Sequence, residues 1–499
     1  TMTPQGWARQ PWADGKMAYD SPALLGALGR LGLKNYRYPG GSIGNHWDLE
    51  NDRMCPLALN CTVYPATCNY NKSVDDARKA FPEGSFSVNA FYDFIEATGA
   101  AGAVLTINVI DCQPSLGNAT KFAAEAAERG ITLRVELGNE VYDPNQMPPG
   151  DPYTSGFDYV NRTKALVQAL AGAGAQVGVP VVPCPFFFNR PCWGGGASYE
   201  RWSDWNRNVS AAMADGTYPV RGVVAHNYPV DLHTLQMWGF KTVPRMSQAY
   251  LTYPEATMLN ADEQLKLYPD GTKIWLSEYN VQYAQVWGNA TGPEADFLRG
   301  TMNSGLHACF VAANILSGAA RSDTVELMNY HSVLEVNTSS QPGFPILALN
   351  ATGSFISPVA QVLAHISQTL VAMHDQDAGV ESVALAAGET VPIPVQGREG
   401  LPCLQTVAFC TTAGAASAFV LNRCDRELDL SEELLAAMRS TCGEPSLAPT
   451  NSTIYPGSLG TPGETWARLD ALAGDPPWDS PVSPVRSKSL PPISGTSFG

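Results

Sequence analysis

Short apolar runs alternate with amphipathic helical patterns up to about residue 372, and this alternation constrains the fold more than any other feature. Seven runs have the length and composition of buried parallel strands. They are Leu33–Tyr38, Ala103–Ile110, Leu133–Leu137, Gln176–Val182, Gly222–His226, Lys273–Ser277 and Thr324–Asn329. The helical patterns are Ser21–Leu31, Ser87–Thr98, Ala119–Arg129, Tyr159–Ala171, Asp296–Leu316 (the longest) and Pro358–Ala372. Such alternation predicts a parallel sheet covered by helices, and seven or eight units over roughly 350 residues predict a (β/α)8 TIM barrel.

The first strand of this barrel is not evident. The stretch before Ser21 is a poor strand, because it alternates charged, aromatic and turn-forming residues. We expect the missing strand either to lie hidden in that stretch or to precede Thr1, and the second arrangement fits the sequence better.

The pattern changes after about residue 373. Runs such as SVALAA, TVPIPV, LQTVAFC and SAFVLN are short and β-like, and Gly, Asp and Pro separate them. These runs predict a small antiparallel β-sandwich. Two Pro-rich segments follow, SPVSPV and LPPIS, and the second can close the sandwich as an edge strand. We therefore expect a barrel domain over residues 1–372 and a C-terminal sandwich domain over residues 373–499.

Composition and motif content exclude several classes of function. Hydrophobic residues make up 44% of the chain and charged residues 16%, which is typical of folded proteins. The net charge of -16 argues against binding to nucleic acid, which requires a basic surface. No apolar run reaches the roughly 18 residues that a membrane span needs. The sequence has no HExxH, no CxxC pair at zinc spacing and no GxGxxG after a strand, so we expect neither a metal nor an organic cofactor.

Cysteines and glycosylation sequons indicate an extracellular protein or one in the lumen of an acidic vesicle. The chain has 11 cysteines. Its sequons begin at Asn60, Asn71, Asn118, Asn161, Asn208, Asn289, Asn337, Asn350 and Asn451. We expect disulfides within three clusters: Cys55, Cys61 and Cys68; Cys184 and Cys192; and Cys403, Cys410, Cys424 and Cys442. The connectivity inside each cluster stays open. Because the total is odd, we expect Cys309, within a helical run, to be a free buried thiol. No signal peptide is visible, so the chain is expected to be mature or trimmed.

The ends of the predicted strands are unusually polar and aromatic, which a purely structural strand does not require. In a (β/α)8 barrel the reacting groups lie at the C-terminal strand ends. The residues concerned are Arg37, Asn45, His46 and Trp47; Asn139 and Glu140; His226 and Tyr228; Glu278, Tyr279 and Asn280; and Asn329 and His331. Two of them are acids 138 positions apart, Glu140 and Glu278. A carboxylate at the end of each of two buried strands is the arrangement that glycoside hydrolysis uses.

The chain resembles the clan of retaining glycoside hydrolases built on (β/α)8 barrels. That clan has Asn-Glu after its fourth strand and a second Glu at the end of its seventh. The ELGNE and IWLSE motifs are similar to those of the heparanase and β-glucuronidase family. The RYPGG motif with its Trp-bearing loop, and the terminal LPPIS, are closer to the α-L-arabinofuranosidases. The resemblance covers the barrel well and the sandwich loosely.

The resemblance implies roles for individual residues. Glu140 would be the acid/base and Glu278 the nucleophile. The acid has to hold its proton near neutral pH, for which burial and the neighbouring anion are the expected causes. Arg37 and Tyr228 would lie beside the nucleophile, and Asn139 would donate to the sugar 2-hydroxyl. Trp47, Tyr279 and Trp287 offer ring faces for sugar stacking, while Asn45 and His226 complete the predicted substrate site.

Structural explanations exist for the same residues. RYPGG can be a tight turn in which Gly supplies a positive φ, Arg37 can form a structural ion pair, and His226 can be a satisfied core histidine. We expect a secreted retaining glycosidase that acts on a carbohydrate substrate by double displacement. The alternative is a catalytically silent barrel that binds glycans or builds extracellular matrix. The sequence leaves the sugar, exo or endo action, and the oligomeric state open.

Overall fold

A sheet of seven parallel strands curves into a nearly closed barrel at the centre of the protein. The strands are β1 (Asn35–Tyr38), β2 (Gly102–Ile107), β3 (Thr132–Leu137), β4 (Gln176–Pro180), β5 (Gly222–Asn227), β6 (Lys273–Tyr279) and β7 (Val325–Tyr330). Each pairs in parallel with the next in chain order. All seven predicted strands are therefore confirmed, with bounds that differ by at most three residues.

A computed structural model describes the larger part of the chain. The described residues are 22–55, 87–110, 112–143, 153–188, 197–228, 242–280, 291–301, 304–331, 333, 347–350, 353–376, 379–385, 390–391, 400–424, 431–447, 452–456, 467–468, 485–487 and 497–498. The stretch before Ser21, where the eighth strand was sought, lies outside them, so that expectation stays a prediction. The segment LPPIS also lies outside.

Helices connect the strands and cover the barrel, and one further helix lies in the C-terminal part of the chain. They are α1 (Pro22–Leu31), α2 (Val88–Ala97), α3 (Leu116–Glu128), α4 (Gly156–Gly172), α5 (Pro183–Phe188), α6 (Ala197–Ala214), α7 (Val243–Leu265), α8 (Pro293–Thr301), α9 (Gly305–Ala319), α10 (Pro358–Gln376) and α11 (Ser431–Thr441). Four of them start where the sequence supplies a capping serine. Its hydroxyl accepts a hydrogen bond from a first-turn N–H; the four caps are Ser87, Ser115, Ser155 and Ser304.

The predicted long helix Asp296–Leu316 is wrong, because the chain forms two helices there, α8 and α9. Ser304 has an extended backbone, with φ -93° and ψ 175°, and its Oγ accepts from the N–H of His307 at 3.3 Å. The hydroxyl thus caps a new helix rather than continuing the old one. The longest described helix is instead the 23-residue α7, which carries Pro254 in its interior.

The interior of the barrel is packed rather than hollow. Val104, Val224, Trp275 and Leu327 form a buried cluster inside it. The Trp275 ring fits because β4 has glycine opposite it: a Cβ on Gly178 would lie 2.4 Å from the ring. The indole N–H donates to Glu326 Oε2 at 3.1 Å.

Two arginines bind the same acid at the N-terminal end of the barrel. Glu326 lies 3.5 Å from Arg134 Nη2 and 3.3 Å from Arg221 Nε. In barrels of this kind the N-terminal face serves stability and the opposite face serves chemistry.

The C-terminal part forms an antiparallel six-stranded sheet, as expected for the sandwich. Its strands, in spatial order, are Val380–Leu385, Leu404–Thr411, Ala416–Asn422, Ser497–Phe498, Ser452–Pro456 and Val485–Ser487. Helix α11, within this part, was not predicted. Helix α10 runs through residue 372, and the division into domains at that point stays a prediction.

Polar contacts join the sheet to the outside of the barrel. Arg423, fully buried at the end of its strand, lies 2.6 Å from Glu255 of α7. Gln405 donates to Ser317 Oγ of α9 at 2.8 Å. A separate short sheet pairs Leu347–Asn350 with Gly353–Ile356, and the latter with Ala467–Arg468.

Disulfide bonds confirm one predicted cluster and correct another. Cys403 pairs with Cys424, and Cys410 with Cys442, both within the C-terminal cluster. Cys55, by contrast, pairs with Cys112 rather than with a neighbour in its own loop. The reason is spatial: β1 and β2 are adjacent strands, so the segments after them meet at the same end of the barrel.

Two further observations bear on the predictions. Cys309 is buried in α9 and is the free cysteine of the described residues, as predicted. None of the described helices combines the length and the apolar character that crossing a membrane requires.

Candidate active site

The predicted site residues meet at the C-terminal ends of the barrel strands. Arg37 comes from β1, Asn139 and Glu140 follow β3, His226 lies near the end of β5, and Glu278 near the end of β6. Their side chains form one hydrogen-bonded network. The structure thus brings the two acids together although 138 residues separate them.

Glu278 is held by donors on both of its oxygens. Arg37 Nη1 donates to Oε1 at 2.5 Å, and the backbone N–H of Gly41 donates to the same oxygen at 3.2 Å. The Tyr228 hydroxyl donates to Oε2 at 2.6 Å. His226 Nδ1 is 3.6 Å from Oε2. Only 6% of the Glu278 side chain is exposed, so its position is well defined.

The charges around Glu278 keep it ionised. Burial alone would raise the pKa of this carboxyl group, but electrostatic attraction to His226, His331 and Arg37 and the Tyr228 hydrogen bond outweigh burial. Together they hold the pKa of Glu278 well below its usual value. A buried carboxylate that stays anionic is suited to act as a nucleophile.

The turn after β1 does two things at once. Gly41 has φ 68°, so the RYPGG segment is the tight turn with a positive φ that its glycines predict. The same turn directs the Gly41 N–H at Glu278. The motif is therefore both a tight turn and a part of the site, so the structural and the functional explanations are both correct.

Glu140 lies on a sharp turn after β3. Gly138 has φ 80° and Glu140 itself has φ 50°, an uncommon value for a residue with a side chain. A Cβ on Gly138 would lie 2.4 Å from Val141, so only glycine fits there. Non-glycine residues in this region cluster at functional sites, where surrounding contacts fix them. Glu140 is also the more open of the two acids, with 25% of its side chain exposed.

His226 connects the two acids. Its Nδ1 lies 3.0 Å from Glu140 Oε1 and 3.6 Å from Glu278 Oε2. These two carboxylate oxygens can therefore be at most about 6.6 Å apart, the sum of the two distances. Retaining glycosidases have carboxyl groups roughly 5–5.5 Å apart and inverting ones roughly 6.5–9.5 Å. The bound includes the retaining geometry and overlaps only the lower edge of the inverting range.

A register shift between β5 and β6 brings the side chains of His226 and Glu278 close together. Ala225 of β5 pairs with Leu276 of β6, but His226 pairs with Glu278, so Ser277 is an extra residue on β6. As a result Ser277 Oγ lies 3.0 Å from His226 Nε2 while Glu278 lies near His226 Nδ1. Bulges of this kind often redirect side chains beside active sites.

The environment of His226 favours the imidazolium form. Burial by itself lowers the pKa of His226, but attraction to Glu278 and hydrogen bonds to Glu136 and Glu140 outweigh it. The pKa rises to about 10, so this side chain is positively charged at neutral pH. His226 was predicted as a substrate contact; the structure shows it bound to acids of the site.

Arg37 is fixed by a carboxylate that the sequence analysis missed, Glu136 of β3, and Arg37 in turn holds Asn139. Arg37 donates from Nε to Glu136 Oε2 at 2.6 Å and from Nη2 to Glu136 Oε1 at 2.8 Å. Arg37 Nη2 also donates to Asn139 Oδ1 at 2.8 Å, which turns the amide nitrogen of Asn139 away from the guanidinium. Asn45 holds the Asn139 backbone, since the two exchange hydrogen bonds of 2.6 and 2.8 Å.

Tyr228 is shared between Glu278 and His331. Its hydroxyl is 2.6 Å from Glu278 Oε2 and 2.7 Å from His331 Nδ1. Because the phenol has one proton, which the carboxylate accepts, His331 must donate from Nδ1. Burial lowers the pKa of His331 to about 4, so this donor is a neutral imidazole at neutral pH. Tyr228 keeps its proton, because burial and Glu278 raise its pKa well above the usual value.

Two predicted stacking residues have no open ring face. Trp47 is 1% exposed, and it lies in a short strand paired with Arg53–Met54. Tyr279 is also 1% exposed and packs edge-on against Tyr330, because it alternates with Glu278 along β6 and faces outward from the barrel. Their role in substrate binding stays a prediction that this geometry does not favour. Trp287 lies outside the described residues.

Three sequon asparagines with described side chains lie on outer helices: Asn118 on α3, Asn161 on α4 and Asn208 on α6. Asn161 is exposed and the other two are half-buried. Asn350 belongs to a described strand. Asn60, Asn71, Asn289, Asn337 and Asn451 lie outside the described residues. Glycosylation stays a prediction at all nine positions.

Solved structures share this fold although the sequence alone finds no relatives. No family model matches the chain, and no curated protein matches it. A family 51 α-L-arabinofuranosidase from Bifidobacterium longum matches with a TM-score of 0.59 at 15% identity, over 100% of this chain and 91% of that one. The family 51 arabinofuranosidase from Xanthomonas axonopodis pv. citri matches with a TM-score of 0.55 at 13% identity, over 100% and 94%.

A third match is the α-L-arabinofuranosidase from Thermotoga maritima, with a TM-score of 0.50 at 15% identity, over 95% of this chain and 88% of that one. At this level of identity the likeness is one of fold. The predicted resemblance to the α-L-arabinofuranosidases is confirmed at that level. The resemblance to heparanase and β-glucuronidase stays a prediction.

Proposed function

We propose that this protein, whose barrel and sandwich have the fold of the family 51 arabinofuranosidases, is a retaining glycoside hydrolase. One observation carries the proposal: Glu140 and Glu278 converge on His226, one partly exposed and the other buried and anionic. Glycosidases need such a pair of acids in unlike environments.

In the first step Glu278 attacks the anomeric carbon. A carboxylate oxygen bonds to that carbon as the bond to the leaving oxygen breaks, and Glu140 gives its proton to that oxygen. The product is a sugar ester of Glu278 and a released alcohol. The exposure of Glu140 fits its task, because the leaving group has to reach it from solvent.

In the second step water enters from the side of Glu140. Glu140, now a carboxylate, takes a proton from the water, whose oxygen bonds to the anomeric carbon as the ester bond to Glu278 breaks. Glu278 leaves as a carboxylate, which the surrounding Arg37, Tyr228 and Gly41 donors stabilise. The double displacement retains the configuration at the anomeric carbon.

The amide of Asn139 is set to contact the sugar. Its oxygen already accepts from Arg37, which leaves its nitrogen as the group that can donate to the sugar. A hydrogen bond from this nitrogen to the sugar 2-hydroxyl would strengthen in the transition state. Asn45 supports it by holding the Asn139 backbone.

The charges of the part of the site that the structure describes favour a neutral sugar over a uronic acid. A glucuronide pocket needs a cation or several donors directed at the substrate carboxylate. The two cations that contact the acids, Arg37 and His226, are each already engaged by carboxylates. The structural neighbours named above act on arabinofuranosides. We therefore propose an α-L-arabinofuranoside or a related neutral glycoside as substrate.

The protein is proposed to act outside the cell or in an acidic vesicle. The three disulfide bonds between described cysteines are typical of proteins that fold in an oxidising compartment. The predicted N-glycosylation belongs to the same setting.

A panel of aryl glycosides tests the proposal. Arabinofuranosides, xylosides, glucosides and glucuronides are assayed with the wild type, Glu278→Gln and Glu326→Gln, the last a carboxylate at the opposite end of the barrel. We expect turnover of a neutral glycoside, a loss of several orders of magnitude in Glu278→Gln, and near-normal activity in Glu326→Gln.

The outcome also separates the enzyme from the alternative of a silent, glycan-binding barrel. Equal activity in the wild type and Glu278→Gln would refute the assigned nucleophile. Binding to glycans in a calorimeter without turnover of any glycoside in the panel would favour the silent barrel.

A further inference from the structure

Glu136 is a carboxylate that the two-step reaction does not use. It lies in the interior of the barrel, four residues before Glu140, and is fully buried. A carboxylate buried so completely is stable only with ionic or hydrogen-bonded partners. Glu136 has two cationic partners, Arg37 at 2.6 and 2.8 Å and His226 Nε2 at 3.4 Å.

These partners are the cations that contact the two proposed catalytic acids. Arg37 uses Nη1 for Glu278, and His226 uses Nδ1 for Glu140. Glu136 binds the opposite side of the arginine through Nε and Nη2. It also lies 3.4 Å from Nε2 of the histidine, the nitrogen that is hydrogen-bonded to Ser277 Oγ at 3.0 Å. Glu136 therefore fixes which side of Arg37 faces Glu278, and Glu136 and Ser277 together hold the side of His226 that faces away from Glu140.

We propose that Glu136 is a positioning residue: by binding Arg37 and His226 from behind, it orients both cations toward Glu278 and Glu140 and balances their charge. The proposal rests on the proposed function for its kinetic consequences. Its structural content, the control of His226 and Arg37, is independent of turnover.

The balance of formal charge shows why a carboxylate is needed there. Arg37 and protonated His226 carry two positive charges, and Glu136 and Glu278 carry two negative charges. The net formal charge of these four side chains is zero, with Glu140 not included. Without Glu136 the buried cluster has an excess positive charge, which binds the Glu278 anion more tightly and makes it a weaker nucleophile.

Glu326 provides a comparison inside the same barrel, with longer and more exposed contacts than the contact of Glu136 with Arg37. It also binds two cations, Arg134 and Arg221, but at the N-terminal end and away from the acids. A purely structural carboxylate should behave like Glu326. A positioning carboxylate should in addition change the chemistry of the site.

The charged, titratable and hydrogen-bonding groups around His226 come from several strands. Glu136 and Glu140 approach from the β3 side, and Ser277 and Glu278 from β6. Arg37 of β1 is joined to His226 through both Glu136 and Glu278. Tyr228 and His331 both contact Glu278, and Tyr142 donates to Glu140 at 3.4 Å. Removing the Glu136 charge should therefore lower the pKa of His226 from its value of about 10.

The first experiment is kinetic and compares Glu136→Gln, Glu136→Asp and Glu326→Gln with the wild type. We expect kcat to fall at least about 10-fold in Glu136→Gln, the loss of one charge-assisted hydrogen bond, with KM little changed. The acidic limb of the pH profile should move to lower pH, because Glu278 loses a negative neighbour. Glu136→Asp, which keeps the charge, should restore the limb. A profile in Glu136→Gln that matches Glu326→Gln would overturn the proposal.

The second experiment does not depend on turnover. Histidine side chains labelled with ¹⁵N are titrated by NMR in the wild type, Glu136→Gln and Glu136→Asp, and His226→Gln assigns the resonance. We expect the His226 pKa to drop by about one unit or more in Glu136→Gln and to recover in Glu136→Asp. An unchanged pKa in folded Glu136→Gln would overturn the proposal. If the shift occurs but no glycoside is turned over, the positioning of His226 stands and the proposed function fails.

Discussion

Replacing Arg37 by methionine removes a guanidinium group that three side chains share. Arg37 donates to Glu136 at 2.6 and 2.8 Å, to Glu278 at 2.5 Å and to Asn139 at 2.8 Å. Arg37 and Glu136 have no exposed side-chain surface, so the screening that weakens surface ion pairs does not apply. Removing one partner of a buried pair costs about 3–5 kcal/mol. We expect Arg37→Met to lower the local free energy of unfolding by about that amount at pH 7.

The loss should depend on pH in a defined direction. In the wild type, burial raises the pKa of Glu136 and Glu278, but the neighbouring positive charges outweigh burial and lower both values. Both groups then contribute stability above about pH 4.3, the pKa of an unfolded glutamic acid, and lose it as pH falls through their folded values. Without Arg37 the pKa values of Glu136 and Glu278 in the folded protein rise. The loss of stability in the variant is therefore large at pH 7 and small near about pH 4.5.

Amide hydrogen exchange in β1 and β6 measures this loss directly. A change of about 3–5 kcal/mol corresponds to exchange roughly 10²- to 10³-fold faster or more, after correction for intrinsic rates. The control is Arg134→Met, whose 3.5 Å contact with Glu326 is longer and more exposed, so its effect should be smaller. Equal protection in wild type and Arg37→Met, or a loss that does not shrink at low pH, would refute the reasoning.

Three further perturbations test separate parts of the account. Glu140→Gln should lower kcat/KM about 10²- to 10⁴-fold for glycosides with poor leaving groups. The loss should be far smaller for dinitrophenyl glycosides, whose leaving group needs no proton. Equal losses across a leaving-group series would contradict the acid role. Tyr228→Phe removes a 2.6 Å hydrogen bond to Glu278, worth about 1.5–3 kcal/mol, so kcat/KM should drop roughly 10- to 100-fold at a nearly unchanged unfolding temperature. The double variant Cys410→Ala/Cys442→Ala opens a bridge between residues 32 positions apart and should destabilise the C-terminal sheet by about 3–4 kcal/mol in denaturant; a loss below about 1 kcal/mol would contradict that role.

The barrel strands could be predicted because burial on both faces leaves a continuous apolar run that needs no partner to be recognised. The two acids could be predicted because each follows such a run directly. Helix α7 could not, since Pro254 interrupts its sequence pattern and most of its faces are buried. The break at Ser304 was missed because its hydroxyl competes as a cap within an apolar stretch.

Parts of the site depend on contacts that sequence order hides. Glu136 sits in the middle of a strand, and its partner Arg37 lies 99 residues earlier. Ser277 reaches His226 only because of the register shift in β6. The Cys55–Cys112 bridge joins segments that meet because β1 and β2 are neighbours. A buried charge in a predicted strand was the one available sign that Glu136 needed a cationic partner.

The most direct measurement is the site of covalent labelling by glycoside-configured epoxide or aziridine probes, mapped by mass spectrometry. A probe in the arabinofuranose configuration should form one ester adduct on the peptide that contains Glu278, and Glu278→Gln should abolish it. Labelling of Glu140 or another residue, or labelling that survives in Glu278→Gln, would contradict the account.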